Sequence, residues 1–162
     1  MTKATRSKTD MPKKSSTEKI YGANVLSHGY TAVPNILVRA QSRLGINTTQ
    51  FNIIVQLLSY WMRPDNPPFP SKKDLATRMG ITPATVRINI KALEDAGLIE
   101  REQQITTHGD YGSNIYRLNG LVAKLKALVP DFDDEREERR SAREKTETPN
   151  ARARTRRKVT KK

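Results

Sequence analysis

A chain of 162 residues with 35% hydrophobic side chains, 29% charged side chains and nine prolines can build one modest core with polar tails attached. Its formal net charge of +13 favours a polyanionic partner through counterion release and electrostatic steering, nucleic acid ahead of an anionic membrane surface. The absence of cysteine excludes disulfides, thiolate metal sites, a cysteine nucleophile and zinc fingers.

Residues 1 to 30 carry Lys3, Arg6, Lys8, Lys13, Lys14 and Lys19 against Asp10 and Glu18, with almost no large apolar side chain before Ile20. This composition predicts a disordered basic arm. It offers no apolar signal core, and no run in the chain approaches the length needed to span a bilayer. A soluble, cytoplasmic and nucleoid-associated protein without a membrane partner is expected.

The globular pattern runs from residue 31 to 130. Pro34 stands near a helix start, and Ile36, Leu37, Ala40 and Leu44 form one stripe up to Gly45. Thr48 can cap the next helix, where Phe51, Ile54, Val55 and Leu58 make one face and Ile53, Leu57 and Trp61 another. A helix this apolar is either the core helix of the domain or gives one side to an oligomer interface. DNPPFP breaks the chain, and Ser71 to Asp74 forms a capping-box-like S-x-x-D before a short helix bearing Leu75, Ala76 and Met79. Gly80 ends it. Thr82 caps a longer helix, Pro83 fits its first turn, and Val86, Ile90 and Leu93 give a buried row up to Gly97. Leu98-Ile99 starts a strand, and Ile115 to Leu118 is its partner across a loop holding His108, Gly109, Asp110 and Gly112. A last helix carries Leu121, Val122, Leu125, Leu128 and Val129, and Pro130 is expected to close the domain.

The order of short helix, glycine turn, long helix and strand pair is what a DNA-reading winged helix needs, because an α-helix fits the major groove and a hairpin can touch the neighbouring backbone. At 100° per residue, burying Val86, Ile90 and Leu93 turns Ala84, Ile88 and Lys91 outward, with Thr85 and Arg87 on the shoulders. Arg87 can contact a guanine edge bidentately, Thr85 a base or phosphate, and Lys91 a phosphate. Ile88 is either a partner for a thymine methyl, an ordinary exposed apolar residue, or part of a protein contact. Ser71, Lys72, Lys73 and Arg78 belong to the helix expected to cross the phosphate backbone, and the two lysines crowd a helix start where the dipole disfavours cations. Thr82 completes the turn. In the wing, Arg101, His108 and Arg117 are the available contacts, although Asp110 is present and no lysine sits at the tip.

From about Tyr30 to Leu118, the segments YTAVPNILV, LLSYW, FPSKKDLATRMGIT, ATVRINIKALEDAGLI and NIYRL together resemble a winged helix-turn-helix family found in phage and plasmid proteins, including the DNA-binding parts of replication initiators. The resemblance implies a mainly α fold with a small antiparallel β-hairpin, recognition by the helix from Thr82 to Ala96, and binding without catalysis. The wing lacks the strongly basic tip of the family, and nothing after Pro130 resembles the second domain that initiators often carry.

Catalysis finds little to work with. His28 and His108 stand far apart, no phosphate-binding or dinucleotide-binding glycine motif occurs, and Asp133, Asp134 and Glu135 lack an apolar shell to fix them. No enzyme activity, cofactor or metal is expected. Residues 131 to 162 begin acidic and end basic, which predicts a disordered tail that either scans duplex phosphate, folds back over the basic surface, or docks another protein. The expected function is sequence-specific binding of double-stranded DNA in transcriptional regulation of a mobile element. A plasmid or phage replication or maintenance factor at origin DNA, and a winged-helix adaptor for proteins, are the alternatives. Homodimerisation through the Phe51 to Trp61 or the Leu121 to Val129 helix would match paired half-sites.

Overall fold

The computed structural model describes residues 15–105 and 111–148. They form two compact units that meet in sequence between Ala32 and Val33. In the first, α1 (Ser16–Tyr21) is capped by Ser15, whose hydroxyl accepts from the Glu18 amide, and Gly22 at φ 81° separates it from α2 (Ala23–Leu26). The arm expected to be disordered therefore holds two short helices over its described part, and neither buries a residue. Residues 1–14 lie outside the described residues.

The second unit opens with α3 (Asn35–Arg39), shorter than the helix predicted up to Gly45 because the chain passes into turns from Ala40. Next, α4 (Thr48–Tyr60) buries Ile53, Ile54 and Leu57 completely, so it is the core helix. Its cap is Asn47 rather than Thr48. Asn47 accepts from the Gln50 amide (2.8 Å) while the Gln50 side chain accepts from the Asn47 amide (2.9 Å), satisfying two orphan donors reciprocally. The short α5 (Lys72–Met79) and longer α6 (Pro83–Asp95) pack on α4 and on each other, followed by β1 (Glu100–Ile105) and β2 (Tyr111–Arg117), an antiparallel pair. The proline-rich segment before α5 lies along the other edge of β2, where the Tyr116 amide donates to the Pro68 carbonyl (2.8 Å). Leu37, Leu75, Val86, Ile90, Leu98 and Tyr116 close the core around α4. Each such apolar side chain contributes roughly 1.5–3 kcal/mol by leaving water.

The final element corrects an expectation. Pro130 does not close the domain: α7 (Asn119–Glu147) runs through it as one helix of 29 residues. Proline removes one backbone bond and costs about 3 kcal/mol inside a helix. Here Leu121 and Leu125 are buried before the proline, and contacts to Arg39 and Arg43 hold the turns after it. Arg43 pairs with Asp131, Arg39 pairs with Glu135, and the Arg39 guanidinium also sits 4.6 Å from the centroid of the Phe132 ring. Glu135 is shared with Arg139 one turn on, and Arg143 pairs with Glu147 (2.7 Å). The stretch read as a solvated tail is therefore helical as far as Glu147, while residues 149–162 lie outside the described residues.

The start of α7 is fixed to the end of α6 at very short range. The Leu121 amide donates to the Leu98 carbonyl (2.8 Å), and a Cβ on Gly120 would lie 2.2 Å from the Gly97 carbonyl oxygen. Gly97 itself adopts φ 62°, a conformation that glycine enters without strain.

Two outcomes are expected from this packing. Gly120→Ala should destabilise the second unit by about 1–3 kcal/mol, measured as a lower urea midpoint at unchanged slope, because backbone rather than a flexible side chain blocks the new methyl. The hydrogen bond from Arg39 holds the Glu135 carboxyl below its ordinary range, aided by Arg139. A carboxylate with a depressed folded value contributes above the unfolded value, and its contribution fades as pH falls through the folded one. Circular dichroism should then show α7 losing helix on acidification, and Glu135→Gln should show part of that loss at neutral pH.

Candidate nucleic-acid interface

The helix-turn-helix is built from local chemistry. The Ser71 hydroxyl accepts from the Asp74 amide (3.0 Å) and donates to the Asp74 carboxylate (2.7 Å), which starts α5. Gly80 ends it in the left-handed region at φ 66°. The Thr82 hydroxyl accepts from the Thr85 amide (3.1 Å), Pro83 supplies a preset first turn, and α6 begins.

Val86, Ile90 and Leu93 are at most 1% exposed, which fixes the rotation of α6 about its axis. Ala84, Ile88 and Lys91 are exposed together on the opposite side, with Arg87 exposed on one shoulder, as the 100° spacing predicts. Ile88 is 65% exposed, so no part of the second unit's described body covers this face. Thr85 is half-buried, and its hydroxyl lies 2.9 Å from that of Thr82, so both hydroxyls already serve the cap. The Lys91 ammonium holds both oxygens of Asp95 (3.1 and 3.2 Å), one turn on. The Arg87 guanidinium has no ion pair among the described residues.

On α5, Lys73 is exposed and Lys72 half-buried beside the helix start. Arg78 is exposed but leans back on α4, with its guanidinium 4.7 Å from the Tyr60 ring centroid.

The wing differs from a bare pair of cations. Arg101 reaches Glu94 of α6 (3.2 Å), with both side chains at least two-thirds buried. Arg117 makes a two-pronged contact to Glu102, Nε to Oε1 at 3.0 Å and Nη2 to Oε2 at 2.9 Å. That contact holds the Glu102 carboxyl below its usual range. Both arginines named from the sequence as DNA contacts thus already face a carboxylate of the protein itself. His108 lies outside the described residues.

The register also places residues that the sequence reading passed over. Arg101 faces Tyr116 and Gln103 faces Asn114, so these four share one face of the hairpin, the one turned toward the helices. Tyr116 is fully buried, and burial pushes its phenol pKa up, opposed by the Asn114 side chain beside it. Asn114 is 9% exposed. Period-two alternation counted back from Tyr116 would have put Asn114 on this inner face.

Residues 33–137, well over half of the chain, match the DnaD N-terminal domain, and the chain belongs to that family. Among solved structures, it is similar to the N-terminal domain of DnaD protein from Geobacillus kaustophilus HTA426, with a TM-score of 0.52 and 22% identity over 75% of this chain and 96% of that one. It is also similar to a possible transcriptional regulator from Methanosarcina mazei Go1 (TM-score 0.43, 18% identity, 63% of this chain and 82% of that one). A third similar structure is MarR (TM-score 0.37, 18% identity, 89% of this chain and 92% of that one). No curated protein matches. The first of these supports the winged-helix fold, mainly helical with one small antiparallel sheet, expected from the order of elements.

The two faces of α6 make a direct comparison possible. Ile90→Ala should cost about 2–5 kcal/mol by opening a cavity, whereas Ile88→Ala should change stability by no more than about 0.5 kcal/mol in the same urea titration. A large loss in the second variant would mean that the protein itself uses the outward face.

Proposed function

We propose that this member of the DnaD N-terminal domain family is a double-stranded-DNA-binding module of replication initiation or maintenance, which reads sequence through α6 and performs no catalysis. The single observation that carries the reading is the outward face of α6. Its buried row holds the helix in one rotation, and Ala84, Arg87, Ile88 and Lys91 are left facing solvent on a rigid support.

That set suits a major groove. Arg87 has the planar donor fork for a guanine edge, Ile88 the apolar surface for a thymine methyl, and Ala84 the small size that lets the helix approach. Lys91 would exchange Asp95 for a phosphate, so its role is affinity rather than choice of sequence. The net charge of +13 supports the same class of partner. Among the described residues no helix is long and apolar enough to cross a membrane.

Family membership favours replication over the transcriptional regulation expected from the sequence. Regulation of a mobile element is the second reading, and it shares the same reading head. Two copies on paired half-sites would multiply specificity, and the symmetry of the bound sequence would report them.

Selection of bound duplexes from a random pool should recover a motif. Arg87→Ala should then lose about 1–3 kcal/mol of discrimination at one base pair while keeping its affinity for random duplex. An absence of enrichment at moderate salt, with DNA binding unchanged by the substitution, would instead favour a protein-interaction adaptor.

A further inference from the structure

One charged contact ties the wing to the reading helix. The Arg101 guanidinium of β1 stands 3.2 Å from the Glu94 carboxylate of α6, with side chains 30% and 21% exposed. Among the described residues every other ion pair is more exposed, and none of the others joins the hairpin to a helix.

The neighbouring groups leave this pair to itself. Lys91 holds Asp95, so Glu94 is available to the wing. Across the hairpin from Arg101 stands the fully buried Tyr116, whose phenol feels both charges of the pair. The pair therefore borders the core, where salt screens it less than it screens an exposed one.

Beyond that point the hairpin stands clear of the body. β1 is exposed along its whole length, and no helix packs extensively along the strand pair. The base is held by the buried Leu98, Ile99 and Leu118 and by the Tyr116 amide on the Pro68 carbonyl. From Arg101 to Ile105 the strand runs about 13 Å, so a swing of about 10° at the tie moves Ile105 by about 2 Å.

The chemistry of the wing makes it sensitive to such a swing. Gln103, Gln104 and Ser113 are uncharged, and Arg117 is held by Glu102. A cation attracts a phosphate across several ångströms, whereas a hydrogen bond from an amide or hydroxyl is lost beyond about 3.5 Å.

We infer that Arg101 is a positioning residue: held by Glu94, it fixes the angle of the wing against α6, so that uncharged donors of the hairpin meet a backbone phosphate while α6 lies in the groove. The inference rests on the DNA-binding reading and deepens it. It replaces a direct contact of Arg101 with DNA by one made through the strand that Arg101 holds.

The test uses the full chain and a duplex recovered by selection, with binding measured where urea titration shows each variant to be folded. Glu94→Gln is isosteric and separates position from charge. Removing an acid beside a polyanion would by charge alone tighten binding, whereas loss of the tie is expected to weaken it by about tenfold. Arg101→Gln is expected to weaken binding as much, at an unchanged slope of log affinity against log salt, because the donors that lose their phosphate carry no charge. Residual dipolar couplings of the free chain should show the Gln103 and Gln104 amides turned relative to α6 in both variants.

Glu94→Gln binding as tightly as the unsubstituted chain, or more tightly, overturns the positioning role, and Arg87→Ala still losing discrimination then leaves the DNA reading standing. Couplings unchanged in both variants overturn the role as well. A salt slope lowered by about 0.9 in Arg101→Gln identifies a direct phosphate contact and overturns it too. No duplex binding by the unsubstituted chain overturns both readings.

Discussion

The row of Val86, Ile90 and Leu93 packed against α4 is the constraint on which the rest of the interface depends. Three side chains on one stripe leave α6 a single rotation, and that rotation alone decides that Arg87 and Ile88 face outward. The neighbouring devices act in the same direction. Ser71 and Thr82 start the two helices at defined residues, and Gly80 supplies the left-handed step that folds one against the other. Local propensity and core burial agree here, which is the condition for a rigid support.

Agreement of that kind also explains what was legible in the sequence. The pair α5 and α6 could be read residue by residue, because capping hydroxyl, first-turn proline, apolar spacing and terminal glycine all lie within a few positions of one another. The hairpin was legible as an element, although its register was not. The course of α7 was misread for the opposite reason. Proline and a run of charge argue for an end at Pro130, and the groups that overrule them, Arg39 and Arg43, stand 96 and 88 positions away from their partners. Such pairings have no signature in the local pattern. The wing arginines fall between these cases, since Glu102 and Arg117 become visible as a pair only once the strand register is known.

The charge balance reads differently once placed in space. A net charge of +13 suggests a generally attractive surface, yet many of its cations face acids of the same chain. Arg39, Arg43, Lys91, Arg101, Arg117, Arg139 and Arg143 all contact carboxylates. Exposed pairs of this kind contribute little to stability, but they flatten the local field. Attraction for an anion is therefore strongest where a cation lacks an acidic neighbour, beside donors already held in place. Arg87, on the outward face of α6, meets that description among the described residues.

The contact at Gly97 and Gly120 has a mechanical side. It joins the foot of the reading helix to the root of a rod about 43 Å long at 1.5 Å per residue. With carbonyl oxygen and glycine in direct touch, there is no soft side chain to absorb a tilt, so the rod and the helix turn as a lever about one fulcrum. A rotation of one degree at that fulcrum carries the rod's far end through about 0.8 Å, by the same rise per residue. The pairs that Arg39 at the end of α3 and Arg43 in the turns after it make with α7 oppose such a swing from a place nowhere near the groove.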